Sequence, residues 1–274
     1  MSSKKGKSSL LELGSIMLFG FALILLVMSA YQLPDWQEVS SERYASASVK
    51  HPLGTNAIGQ DVAARALQAS WSSLYTGIVV SLLSGGLGVL MGLFAGWYSG
   101  RWPDSIILWL TGVMEAIPFY LFVAAIAFAF QKLSWSMELA MIATFWTTMT
   151  RLIRGEVIRL QQRDYVLSAR AIGLPPVRIL KTHILPNLLP LLLVQLSLIF
   201  ISAIKAEVIL SFLGLGDSSG ISWGMMIAES TQEVIGGYYW NFISASVLLF
   251  MLIFSVSLIT DKLQSRADPR QGVA

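Results

Sequence analysis

Long apolar runs alternate with polar segments along this chain. A helix that crosses a bilayer needs about 20 mainly apolar residues. Stretches near 10–31, 74–98, 105–130, 137–158, 185–206 and 242–259 meet that requirement. The pattern predicts an all-α fold: a polytopic membrane helical bundle of about six transmembrane helices. The fourth stretch is the least apolar, because Arg151 and Arg154 intrude near its end. It is expected to continue past the bilayer and carry Arg151, Arg154, Glu156 and Arg159 into water.

Between the fourth and fifth stretches lies a polar island, residues 164–187, reading DYVLSARAIGLPPVRILKTHILPN. Tyr165, Ser168, Ala169 and Ile172 fall at helical spacing on one face, and Gly173 ends that piece. Pro175 and Pro176 force a turn. Val177, Ile179, Leu180, His183 and Ile184 then resume a mixed apolar and basic face, and Pro186 and Pro190 mark entry into the next run. A compact knob with small residues on one side and Arg170, Arg178 and Lys181 around it suits docking into a groove on a soluble partner. His183 fits a docking or capping role better than a metal ligand.

Composition supports the membrane reading. The 274 residues are 55% hydrophobic and only 13% charged, where a soluble domain carries roughly a quarter charged residues. The absence of cysteine excludes disulfides, thiolate metal sites and a cysteine nucleophile. Lys4, Lys5 and Lys7 ahead of the first apolar run resemble the start of a signal peptide. The run is too long for a signal core and no small-x-small cleavage site follows, so it reads as a retained span. With a cytoplasmic N-terminus, the inside segments would hold fourteen of the nineteen Lys and Arg residues. The positive-inside rule therefore places both termini and the 164–187 island in the cytoplasm. Two long outside segments, 32–73 and 214–241, are punctuated by Gly, Pro and Trp and would form a vestibule facing an extracytoplasmic partner. Residues 1–70 are expected to hold the first helix and a periplasmic segment. Residues 71–274 would be the core, with its cytoplasmic loop at 160–187.

Several positions inside the predicted spans carry chemistry. Gly88, Gly92, Gly96 and Gly100 recur every fourth residue in the second span, a stripe that lets another backbone approach closely. Pro118 is expected to kink the third span. Glu115, Lys205 and Glu207 are charges at or near membrane depth and hence candidates for the pathway or for pairing, with pairing favoured for all three. Lys205 and Glu207, two residues apart, do not face each other on a helix. No phosphate-cradling G-x-x-x-x-G-K-[ST] loop, no Ser/His/Asp set and no metal cluster is present in the sequence, so the chain itself is not expected to be an enzyme.

Five blocks in order carry a family resemblance, over about residues 51–270. They are His51-Pro52-Leu53-Gly54-Thr55-Asn56 with Gly59-Gln60-Asp61-Val62; Arg154-Gly155-Glu156-Val157 with Tyr165-Val166 and Ala169-Arg170-Ala171-Ile172-Gly173; Ile179-Leu180 with His183-Ile184-Leu185-Pro186-Asn187; Glu207 with Leu210-Ser211-Phe212-Leu213-Gly214-Leu215-Gly216 and Ser222-Trp223-Gly224; and Asp268-Pro269-Arg270. The chain resembles the inner-membrane permease subunits of ATP-binding-cassette importers of the dipeptide/oligopeptide/nickel class.

The resemblance implies a type I importer permease fold in a bacterial inner membrane. It implies a second homologous permease subunit forming a heterodimer, two cytoplasmic ATPase subunits that bind ATP and Mg, and a periplasmic or lipid-anchored substrate-binding protein. The cargo would be peptides or metal chelates. It places a coupling role on Tyr165, Ser168, Ala169, Arg170, Ile172, Gly173, Ile179 and His183. Gly54, Asp61 and Trp223 would contact the binding protein or line the vestibule. This chain bears no cofactor or metal of its own in that reading, and meets membrane lipid but no nucleic acid. It departs from the family pattern at Leu167, which stands where the loop's Glu is usual, and at Ser168, where Ala is usual. The alternative is a secondary transporter or channel acting alone, for which Gly-rich span two, Pro118 and Glu115 would form a gated path.

Overall fold

The computed structural model describes residues 35–39, 42–130, 133–216 and 220–267. The first predicted span, the tail block at 268–270 and Lys132 lie outside the described residues. The described chain is helical: α1 Val62–Trp97, α2 Trp102–Ala116, α3 Phe119–Ala129, α4 Ser136–Gln161, α5 Asp164–Ala171, α6 Pro176–Ile179, α7 Leu185–Phe212, α8 Trp223–Ile235 and α9 Trp240–Ala267. A π-helical turn, Leu180–Ile184, joins α6 to α7. Extended pairing among the described residues is limited to single bridges, Val39 with Gln60 and Thr55 with Asp61.

Among the described residues, three helical stretches are long and apolar enough to cross a membrane: Val62–Trp97, Pro176–Phe212 and Trp240–Gln264. A fourth arises if α2 and α3 are one broken span. The expected kink at Pro118 is a full break, with the two helices bent by 87°. Ile117, held out of the helical region by the proline after it, is extended at φ −88° and ψ 128°. The expected fourth span is a 26-residue helix, yet its charged second half keeps it from the apolar set. The second span starts at Val62, earlier than the apolar run implied, because Asp61 Oδ1 accepts the Ala64 N–H at 2.8 Å and caps the helix there.

The chain divides into two compact units. One comprises Met1–Gly77, Phe130–Met137 and Ile201–Ile259; the other comprises Ile78–Ala129, Glu138–Phe200 and Thr260–Ala274. In the second unit, α1 and α4 lie side by side along the glycine stripe. A Cβ added at Gly88 would sit 2.5 Å from Met149 Cβ, one at Gly92 2.7 Å from Ile153 Cβ, and one at Gly96 2.6 Å from Val157 Cβ. The partner number exceeds the glycine number by a constant offset, so the two helices run parallel. Thr150 Oγ1 donates to the Gly88 carbonyl at 3.3 Å and Gln161 Nε2 to the Gly96 carbonyl at 2.7 Å. Gly100 does not belong to this stripe. It lies beyond the end of α1 at φ +75°, has nothing within 4 Å of where a Cβ would stand, and serves the turn into α2.

The core of this unit gathers Met149, Ile153, Val157 and Leu160 of α4, Val166 and Ala169 of α5, Ile179, Ile184, and Leu188, Leu192 and Ile199 of α7. The i, i+4 spacing of the α4 set puts those side chains on one stripe. Asp104, in the first turn of α2, is buried and receives two hydrogen bonds from Arg154, at 2.6 and 2.8 Å. It also accepts the Gly100 N–H at 2.9 Å. This paired geometry accounts for an arginine that the sequence pattern sends into water.

Candidate functional site

The polar island folds into an elbow. Helix α5 ends in a Schellman motif: Leu174 N–H donates to the Ala169 carbonyl at 3.1 Å and Gly173 N–H to the Arg170 carbonyl at 3.0 Å. Gly173 sits at φ +80°, where a side chain is strained although nothing lies within 4 Å of its Cβ position. Pro175 then supplies an extended residue, and Pro176 opens α6 at the position where its missing N–H costs nothing. The π turn carries the chain into α7 without a gap.

Four apolar side chains anchor the elbow inward: Val166, Ala169, Ile179 and Ile184 are all buried. Ala169 and Ile179, expected on the outward docking face, are therefore inner anchors. Tyr165 and Leu167 are about half exposed, while Ile172 and Val177 are 77% and 75% exposed. Ser168 is exposed beside them. His183 is partly buried, its ring 6.3 Å from that of Tyr165, and its carbonyl accepts Asn187 Nδ2 at 2.6 Å.

Arg170 is exposed, as its place on the knob requires, and also makes contacts within the chain. Its guanidinium lies over the Trp97 ring at 4.3 Å and donates to Gln161 Oε1. Gln161 in turn holds the Gly96 carbonyl. The ends of α1 and α4 and the elbow are thus tied by a single polar chain. Sequence reading missed Trp97, Gln161 and Asp104, since each is an ordinary residue whose partner comes from another helix.

Two of the three remaining candidates pair internally. Glu115 receives both Arg151 Nε at 2.9 Å and Arg151 Nη2 at 2.8 Å. Glu207 is 1% exposed and accepts Ser211 Oγ at 2.7 Å and Ser73 Oγ at 3.2 Å. Lys205 is exposed on α7.

Gly54, Asp61 and Trp223, expected to contact the binding protein or line the vestibule, are buried within their own unit. Gly54 stands at φ +73° where a Cβ would strike the Ala45 carbonyl. Asp61 Oδ2 lies 2.7 Å from His51 Nδ1, and Trp223 Nε1 donates to the Ala66 carbonyl at 2.8 Å. Arg65, also buried, donates to Gln60 and Glu229. Glu233 Oε1 accepts the Ala57 N–H at 2.9 Å. These contacts explain why the block before α1 carries so many polar residues: their hydrogen bonds are spent within the chain.

The described residues give an all-helical fold with an elbow between two long helices, a fold shared with solved ABC importers. In agreement, 74% of this chain superimposes on 96% of a chain from the inward-facing MetNI methionine ABC transporter, with a TM-score of 0.57 at 16% identity. A second crystal form of that transporter gives 0.54 over 73% and 96%.

Residues 88–272 match the binding-protein-dependent transport system inner membrane component, and the chain belongs to that family. It is 28% identical to the dipeptide transport system permease protein DppC of Bacillus subtilis, over 96% of this chain and 83% of the relative. It is 30% identical to the oligopeptide transport system permease protein OppC of Mycobacterium tuberculosis H37Rv, over 92% and 91%. It is a permease component and not itself catalytic. Membership decides against a channel or secondary transporter acting alone.

Proposed function

We propose that this chain is one half of a heterodimeric permease that imports peptides, driven by two cytoplasmic ATPases and supplied by a binding protein. The cargo class rests on the DppC and OppC relatives, which are dipeptide and oligopeptide permeases. The observation that carries the mechanism is the elbow. Its inner side chains are fixed in the α4–α7 core while Tyr165, Leu167, Ile172 and Val177 project from it. A rigidly mounted apolar knob delivers force to helices α4 and α7 when the cleft that holds it moves. Leu167 makes that knob more apolar than the acidic family pattern. Spent polar contacts behind it, from Arg170 to Trp97 and Gln161, carry the same motion to the end of α1.

Six spans fit this reading. Parallel α1 and α4 require the chain between them to return across the bilayer, a return that the α2–α3 pair would make as one broken span. Helix α4, beside the apolar α1 over its whole glycine stripe, then shares its depth, with Asp104 and Glu115 neutralising Arg154 and Arg151. Together with residues 10–31, this gives a bacterial inner-membrane subunit with both termini in the cytoplasm.

Gly173→Val tests the elbow. The substitution strains a left-handed position by about 1–3 kcal/mol and shifts the α5–α6 turn. In the reconstituted complex, ATP hydrolysis should persist while peptide uptake falls at least tenfold, with membrane insertion unchanged. Normal uptake by this variant would remove the coupling role.

A further inference from the structure

The first unit contains a cavity of about 270 Å³ between the segment preceding α1, the end of α8 and the start of α9. Its walls include Tyr44, Glu233, Tyr238, Tyr239, Trp240 and Asn241. Asn241 is 2% exposed, yet neither its Nδ2 nor its Oδ1 has a hydrogen-bond partner among the described residues. A buried amide with both halves unmatched is costly and rare. Asn241 lines this cavity, and a peptide group seated beside it would supply the missing donor and acceptor.

Three further observations specify the ligand. Asn241 lies in the first turn of α9, where backbone N–H groups have no intrahelical acceptor and favour an electronegative atom. Glu233 places a buried carboxylate on another wall, one oxygen of which is used by Ala57 N–H. Tyr44 is stacked on Tyr238 with ring centroids 3.7 Å apart, and Tyr44 holds φ +52°, an uncommon backbone state for an aromatic residue. Aromatic faces and a carboxylate attract an ammonium group, and an amide side chain pairs with a peptide group through one donor and one acceptor. The volume suits one or two small residues, falling just below the usual range for drug-sized ligands.

We infer that this cavity is a binding site for the amino terminus of a peptide, its ammonium toward Glu233 and its first peptide group paired with Asn241. The inference deepens the proposed peptide import and rests on it for the origin of the ligand. In the proposed orientation the site opens on the outer side of the membrane, where cargo arrives. A peptide amino terminus offered by the binding protein has the same chemistry, and the experiment separates the two sources.

The test is calorimetric titration of the full complex in lipid nanodiscs, without binding protein, using tri-alanine and N-acetyl-tri-alanine. Tri-alanine should bind, and the acetylated peptide at least tenfold more weakly, the factor carried by about one charge-assisted hydrogen bond. Asn241→Leu should weaken tri-alanine binding about tenfold while leaving the thermal midpoint unchanged or raised, because it removes an unsatisfied amide. Glu233→Gln, which keeps an acceptor for Ala57, should erase the preference for the free amino terminus. Adding the binding protein without cargo should leave tri-alanine affinity unchanged if cargo is the ligand, and lower it by competition if the binding protein's own terminus is. Absence of tri-alanine binding, equal affinity for both peptides, or full affinity in Asn241→Leu would overturn the site. ATP-driven peptide uptake in the same preparation would leave the transport reading intact. Tri-alanine binding in a complex that transports no peptide would instead keep the site and remove the cargo.

Discussion

Gly92→Ala adds one carbon at the tightest kind of contact this protein makes. The new Cβ would stand 2.7 Å from Ile153 Cβ and 2.8 Å from the Thr150 carbonyl oxygen. Backbone and a β-branched Cβ cannot rotate aside, so the helices must separate by roughly 1 Å to restore ordinary contact, a gap that forfeits a quarter to a half of each affected dispersion well. Overpacking of this kind costs about 1–3 kcal/mol. The Thr150 Oγ1 bond to Gly88, already 3.3 Å long, would be lost as well, adding about 1 kcal/mol. A total of about 2–4 kcal/mol is expected, offset by up to about 1 kcal/mol from alanine's better helix propensity. Gly86→Ala is the matched control: same helix, same added methyl, and nothing within 4 Å. Thermal denaturation of the purified chain in detergent should show a clear drop for Gly92→Ala and none, or a small rise, for Gly86→Ala. Equal midpoints for the two variants would refute the close parallel packing of α1 and α4.

Asp104→Ala leaves Arg154 and the Gly100 N–H without an acceptor. It should destabilise the chain by about 3 kcal/mol, and the double variant Asp104→Ala/Arg154→Met should recover part of that loss in the same melting assay; an additive loss would count against the pair. Arg65→Met removes the donor shared by Gln60, which keeps Asn56 Nδ2, and Glu229, costing about 1 kcal/mol, and limited proteolysis should then cut the 42–61 segment faster, whereas an unchanged digestion rate would show that Arg65 does not hold it.

The elbow was legible because its instructions are local. Gly173, Pro175 and Pro176 act through their own backbone restrictions, so helix, left-handed stop and restart follow from residue type and order. The glycine stripe was legible as a packing face for the same reason, but spacing alone could not say that Gly100 falls past the helix end. Nor could it identify α4 as the partner or the parallel sense of the pair. Ala169 and Ile179 share a periodic pattern with exposed neighbours, and only the position of α4 and α7 decides which of them turn inward.

Polar residues show the limit most clearly. Arg154 looks like a charge bound for water until Asp104, fifty residues earlier, is brought within 2.6 Å. Asp61 and Trp223 look like surface contacts until their hydrogen bonds to His51 and Ala66 are seen to be internal. The sequence by itself determined membrane residence, the all-α class, the elbow and the family. Those depend on apolar run length, residue-specific backbone limits and motif order. Tertiary structure alone decided which charges are neutralised, which faces remain open, and that Asn241 is buried with its amide unmatched. Each of these depends on distances between segments remote in the chain, and no local pattern encodes them.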